Sequence, residues 1–119
     1  GPAMLSWGVV DSFGAIKSGS GNFSVNWDEA ERWYTITTTS HPYYKDSMLL
    51  MITPVGNGSW DQAVATGELI EGSIRRATIK FTDVSRIAAG WSVDGSRRRS
   101  WFHFVLYDLR KDPYNQLDP

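Results

Sequence analysis

Three adjacent arginines, Arg97, Arg98 and Arg99, are the densest charge in the chain. A guanidinium is a planar fork of N–H donors that matches a phosphate, a sulfate or a carboxylate. Set at a tight turn, three of them can grip an acidic sugar. The plainer role of such a run is to keep a neighbouring aromatic strand soluble. Aromatic residues in loop-like stretches add a second kind of chemistry. Trp60 follows a Gly-rich turn, and Trp91 precedes Asp94-Gly95. A loop tryptophan either stacks on the apolar face of a pyranose or folds back over the core. His41, Tyr43 and Tyr44 share a loop with Pro42. The candidate ligand-binding set is therefore His41, Tyr43, Tyr44, Trp60, Trp91, Arg97 and Arg98.

Catalytic patterns are missing from the sequence. There is no His-Glu-x-x-His, no Gly-x-Ser-x-Gly and no Gly-x-x-x-x-Gly-Lys. Ser18 to Gly21 is Gly/Ser-rich, but no helical pattern follows to supply phosphate-binding amides, so it reads as a bend. Two histidines without any cysteine do not make a structural zinc site. His103 lies in an alternating stretch on the side of Trp101 and Val105, as a packed or interface residue. The carboxylates Asp28, Glu29, Glu31, Asp46, Asp61, Asp83 and Asp94 sit in turn-like positions, where they usually serve turn geometry. No spacing selects a facing pair at the roughly 5–9 Å a glycosidase needs. The expectation is a non-enzymatic protein with no cofactor and no metal. Asn22-Phe-Ser24 and Asn57-Gly-Ser59 match the glycosylation sequon.

The bulk numbers agree with a small folded domain. The chain has 119 residues, 41% hydrophobic and 21% charged, enough apolar material for one core and too little charge for disorder. A net charge of -1 does not provide the basic surface that nucleic-acid binding asks for. No apolar run is long enough to span a bilayer as a helix. Gly1 to Met4 read as a cloning scar, residues 5–110 as the domain and residues 111–119 as a C-terminal tail.

Period-two alternation places the elements. Phe23, Val25 and Trp27 alternate with Asn22, Ser24 and Asn26, and Tyr34 and Ile36 alternate with Trp33, Thr35 and Thr37. With Asp28 to Glu31 between them, this predicts a β-hairpin. Trp7 to Asp11 and Ala15 to Ser18 predict two short strands around an Asp11–Gly14 turn. Met48 to Thr53 predicts a strand ended by Pro54. Asp61 to Ile70 is ambiguous, with a helical turn possible over its first residues. Ile74 to Phe81 alternates with Ala77, Ile79 and Phe81 inward. Ile87 to Val93 reads as a strand, Asp94-Gly95 as a hairpin tip, and Trp101 to Asp108 as the last strand. Seven or eight short strands without a long helix predict an all-β antiparallel sandwich or barrel. Met48 to Thr53 and Trp101 to Tyr107 are apolar on both faces. Either a loop covers the second face of each, or that face is a subunit interface.

The stretch from Trp7 to Ile36 resembles the start of a β-domain found near the C-termini of phage tail fibres, tailspikes and bacterial surface proteins. The shared features are Gly-Val-Val, a Gly-containing turn, Ser-Gly-Ser-Gly, Phe-x-Val and Tyr-x-Ile. They continue with "LLMITPVG" (Leu49 to Gly56) and close with "FHFVLYD" (Phe102 to Asp108). The resemblance implies a β-sandwich head, homotrimeric, on a virion tail or cell surface, recognising cell-surface carbohydrate. It offers no catalytic residues to carry over. A structural trimerisation or capping domain without a ligand is the alternative. The order of Ser18, Gly19 and the Trp91 to Trp101 region is also similar to H-type lectins, which bind sugars between subunits.

Overall fold

The computed structural model describes residues 3–38, 46–56, 63–70, 76–83, 90 and 97–109. Nine strands appear in chain order: β1 (Ala3–Val10), β2 (Ile16–Gly19), β3 (Phe23–Asp28), β4 (Trp33–Thr38), β5 (Met48–Val55), β6 (Ala63–Ile70), β7 (Arg76–Asp83), β8 (Arg97–Arg98) and β9 (Trp101–Asp108). They form two antiparallel sheets, one in the order β2-β1-β9-β5 and the other in the order β3-β4-β7-β6, with β8 paired to β7. The architecture is that of a β-sandwich, all-β with no α-helix among the described residues.

The core follows from the alternation. Val10, Phe102 and Phe104 from the first sheet meet Phe23, Tyr34, Ile36, Ile79 and Phe81 from the second. The rings pack edge-on or tilted, as their quadrupoles favour: Phe23 meets Phe104 at 90° and 4.8 Å, and Tyr34 lies 5.1 Å from Phe102. Two glycines make room for one of these rings. Gly8 and Gly19 are cross-strand partners in β1 and β2. A Cβ on Gly8 would lie 2.5 Å from Phe23 Cζ, and one on Gly19 would lie 2.9 Å from the same ring. On the other side of the sandwich, Gly67 of β6 accommodates Ile52 and Leu50 of β5.

Several boundaries differ from the expectation. β1 covers Ala3–Val10 rather than Trp7 to Asp11, and Ala3 and Met4 pair with β9. Asp61 to Ile70 contains a strand rather than a helical turn. β6 pairs with β7 along its whole length, from Ala63↔Asp83 to Ile70↔Arg76, and that ladder overrides the weak local helical signal. β5 does not stop at Pro54 but runs to Val55, with Pro54 opposite Phe102. It tolerates the proline because it is an edge strand. The expected hairpin tip also changes character. Arg97 and Arg98 form β8 and pair with Thr82 and Phe81. Ile87 to Val93, Asp94-Gly95 and the tail 111–119 lie outside the described residues.

Gly8→Ala tests the two-glycine seat. The Phe23 ring has Gly19 behind it and the Phe104 ring at its edge, so it has little room to yield. The variant is expected to lose about 1–3 kcal/mol of stability, as overpacked cores do. A lowered urea midpoint at unchanged slope is the readout.

Candidate functional site

At one end of the sandwich, three turns bring charge and aromatic rings together. The first joins β1 to β2. Asp11 Oδ1 accepts the backbone N–H groups of Phe13 and Ala15, each at 2.9 Å. Gly14 N donates to Asp11 O at 3.0 Å, with Gly14 at φ +88°. The tight turn leaves Phe13 at its tip, 77% exposed. The second joins β3 to β4. Asp28 Oδ1 accepts Glu31 N, and Asp28 O accepts Arg32 N at 2.7 Å. Arg32 closes this turn at φ 57°, in the left-handed region that non-glycine residues seldom adopt. The third is the link from β8 to β9, which carries Arg99.

These turns assemble a stack of alternating rings and cations. The Arg99 guanidinium lies 5.5 Å from the Phe13 ring centroid and 4.7 Å from that of Trp27, and the Arg32 guanidinium lies 5.7 Å from Trp27. All three separations suit cation–π attraction. Glu29 joins the group from the β3–β4 turn. Its Oε2 accepts Trp27 Nε1–H at 2.6 Å and faces Arg99 Nη2 at 3.6 Å, while its Oε1 faces Arg32 Nη1 at 3.4 Å. The Trp27 hydrogen bond is the main influence holding the Glu29 carboxyl below the usual glutamate value, helped by Arg32 and Arg99. The Asp11 carboxyl is lowered chiefly by the Ala15 N–H, with Phe13 N–H and Lys17 adding to it against a desolvation penalty.

A second cation pair sits nearby on the outside of the β3-β4-β7-β6 sheet. Arg97 and Lys80 both lie over Trp33, at 5.2 and 5.0 Å. Arg97 Nη1 donates to Glu31 O at 2.8 Å, and Arg32 Nε donates to Arg97 O at 3.1 Å. These two bonds tie the start of β4 to β8.

The other distinctive surface is the outer face of the β2-β1-β9-β5 sheet. The register aligns its residues in rows. Met4, Tyr107 and Leu49 make one row, and Trp7, Val105 and Met51 make the next. Val9, His103 and Thr53 follow, and then Trp101 beside Val55. None of these residues is Asp, Glu, Lys or Arg. Met4, Trp7, Leu49 and Met51 are each more than two-fifths exposed. The second faces of β5 and β9 are thus not fully covered by the described residues.

The structure speaks to two of the seven candidate residues. Arg97 is not a solvated tip: its side chain is only 10% exposed and packs on Trp33. Arg98 is partly buried and pairs with Asp83 at 3.8 Å. His41, Tyr43, Tyr44, Trp60 and Trp91 lie outside the described residues, as does the Asn57 sequon. The Asn22 side chain donates to Leu5 O and accepts from Ser6 and Ser20 hydroxyls, so it serves as a strand-to-strand clamp. The sequence reading missed Phe13, Trp27, Glu29, Arg32 and Arg99 as a group. Its signal was available: Trp27 is the inward residue nearest the end of a strand, and a core residue there is open to whatever the adjoining turns supply.

Among the described residues no group of His, Asp or Glu is placed to hold a metal ion, and no helix is long and apolar enough to cross a membrane. Comparison with protein-family models, with curated proteins and with solved structures finds no match. The class that can be stated from the fold is an all-β domain of two antiparallel sheets.

The lowered carboxylates fix the sign of a pH effect. Asp11 and Glu29 bind protons less readily when folded than when unfolded. Their contribution is present above the unfolded carboxylate range and is lost as pH falls through the lowered folded values. Stability measured by urea unfolding is expected to drop between about pH 5 and pH 2. Asp11→Asn and Glu29→Gln should each show a shallower drop than the parent chain.

Proposed function

We propose that this chain is a non-enzymatic attachment module. It is a two-sheet head that assembles with copies of itself and recognises cell-surface carbohydrate, on a virion tail or at a cell surface. The observation that carries the assembly half is the outer face of β1, β9 and β5. Water-exposed sheet faces normally alternate to polar residues. Here Met4, Trp7, Leu49 and Met51 stand where polar residues would. Interface cores are enriched in aromatic residues and methionine and depleted in charge, and this face has that composition. A face without Asp, Glu, Lys or Arg also brings no like-charge repulsion to a contact between copies.

The size of the face sets the strength of the association. Three strands spaced about 4.8 Å apart, each of eight residues rising about 3.3 Å, cover roughly 400 Å². A standard interface buries about 800 Å² per partner. The face alone supplies about half of that, so flanking surface must join in and the association is moderate. Three copies is the number the fibre-head resemblance implies.

Light scattering on the peak eluting from a sizing column tests the assembly. The expected mass approaches three times 13.4 kDa as concentration rises. Met51→Lys together with Leu49→Lys should return the mass to a single copy, with the β-sheet circular dichroism unchanged. A parent chain that stays at 13.4 kDa at all concentrations overturns the assembly.

A further inference from the structure

Glu29 is held like a bound ligand. Three donors from different parts of the chain converge on its carboxylate: the Trp27 indole N–H and the guanidinium groups of Arg32 and Arg99. Both guanidinium groups are fixed from behind. Arg32 Nε donates to Arg97 O, and Arg99 Nη1 donates to Ser12 O. Yet the carboxylate itself is 72% exposed and carried on a turn. Its three contacts are unequal. The Trp27 bond is short at 2.6 Å, whereas the arginines stand at 3.4 and 3.6 Å. A well-made guanidinium–carboxylate bond is about 2.7–2.9 Å and often doubled. Glu29 makes that fork with neither arginine. One carboxylate thus faces two cations, and among the described residues each guanidinium, with five N–H groups, makes one other hydrogen bond. Beside them Phe13 is 77% exposed, with the Arg99 guanidinium over its ring.

We infer that Phe13, Trp27, Arg32 and Arg99 form a binding site for a carboxylate-bearing sugar, and that Glu29 is an internal stand-in which the ligand displaces. A sugar carboxylate is not tethered to the turn and can approach the guanidinium groups in the forked geometry. The apolar face of its pyranose ring can lie on Phe13, as sugar rings do on exposed aromatics. Displacing Glu29 gives up two exposed ion pairs, which contribute little, and the Trp27 N–H bond, which is itself exposed, so that water can replace the carboxylate there. The inference rests on the attachment reading only in taking the ligand to be a sugar. It makes Arg99 the gripping arginine, in place of Arg97 and Arg98.

Isothermal titration with 3′-sialyllactose and a glucuronate-containing tetrasaccharide, each against its neutral counterpart, tests the site. The parent chain should bind the acidic sugars and not the neutral ones. Glu29→Gln retains an acceptor for the Trp27 N–H and removes the competing charge. It should bind the acidic sugars about tenfold more tightly, the scale of one charge-assisted hydrogen bond. Arg99→Ala should abolish binding, and Arg99→Lys, which lacks the fork, should weaken it. Circular dichroism and the thermal midpoint confirm that each variant is folded. Glu29→Gln binding no better than the parent, or Arg99→Ala binding as well as the parent, overturns the site. So does equal binding of a sulfated sugar, which would make the site a general anion site. Binding of neutral and acidic sugars alike would overturn this site and leave the attachment reading standing. Binding of no sugar by parent or Glu29→Gln would sink both the site and carbohydrate recognition, and the light-scattering mass judges assembly separately.

Discussion

The Tyr34 hydroxyl is the interaction on which this end of the molecule depends. Tyr34 is fully buried, and burial is the main reason its phenol titrates above the usual tyrosine value. A buried hydroxyl must be hydrogen-bonded or it costs about 1–3 kcal/mol. Tyr34 donates to Ser12 O at 2.6 Å and accepts Ser100 N–H at 3.0 Å. Those two partners belong to the Asp11–Gly14 turn and to the link between β8 and β9. One phenol in the core therefore sets the distance between Phe13, next to Ser12, and Arg99, next to Ser100. Its ring completes the arrangement, lying 4.7 Å from Trp27 and 5.8 Å from Phe81. The surface stack of rings and cations is built outward from this core residue.

The β7 strand explains how Arg97 to Arg99 reach the same place. β6 pairs with β7 along its whole length. On its other edge, β4 pairs with Arg76 to Ile79, and β8 takes over at Phe81 and Thr82. β8 thus continues the line of β4, and the junction falls at the β3–β4 turn. Arg32 sits at that junction in a left-handed backbone conformation, a state that costs a non-glycine residue on the order of 1 kcal/mol. A glycine would remove that cost. It would also remove the side chain that bridges Arg97 O, Glu29 and the Trp27 face. The arginine at this position trades local strain for a link between two strands that share an edge.

The hairpin from Phe23 to Thr38 was legible because both of its strands alternate cleanly and its turn holds Asp28, whose side chain caps the turn in the structure. Tyr34 and Ile36 face inward as that alternation requires. The apolar second faces of β5 and β9 were equally legible, since a strand lacking polar alternation carries apolar side chains on both faces. The β6 strand was not legible, because its pairing with β7 is a tertiary fact that residues such as Ala63, Ala65 and Gly67 do not signal locally. Pro54 misled for a related reason: proline ends a central strand but not an edge strand, and edge position is set by the sheet order. The Arg run was visible, but the choice of which arginine faces solvent was not. That choice follows from β8 pairing with β7, which turns Arg97 over Trp33 and leaves Arg99 past the strand end.

The two surfaces lie at different distances along β9, and this bears on whether they can work together. The most exposed apolar residues of the sheet face, Met4, Trp7, Leu49 and Met51, sit in the rows of Tyr107 and Val105. Arg99 precedes the start of that strand. At about 3.3 Å per residue, the Val105 row is roughly 20 Å from Arg99 and the Tyr107 row farther still. A contact centred on those rows would have its middle away from the Phe13 and Arg99 end, although the Trp101 and Val55 row of the same face comes close to it. On the proposed reading, assembly and ligand capture would therefore centre on different residues. Joining copies through the sheet face would multiply the ring-and-cation ends carried by one particle, and several weak sites on one particle hold a surface far more firmly than one does. On the proposed reading, assembly would use the apolar face of one sheet and recognition the end where turns of both sheets meet, and each would draw on a property already there: the sheet face carries no Asp, Glu, Lys or Arg, and the end collects turns, where charge is cheap to expose.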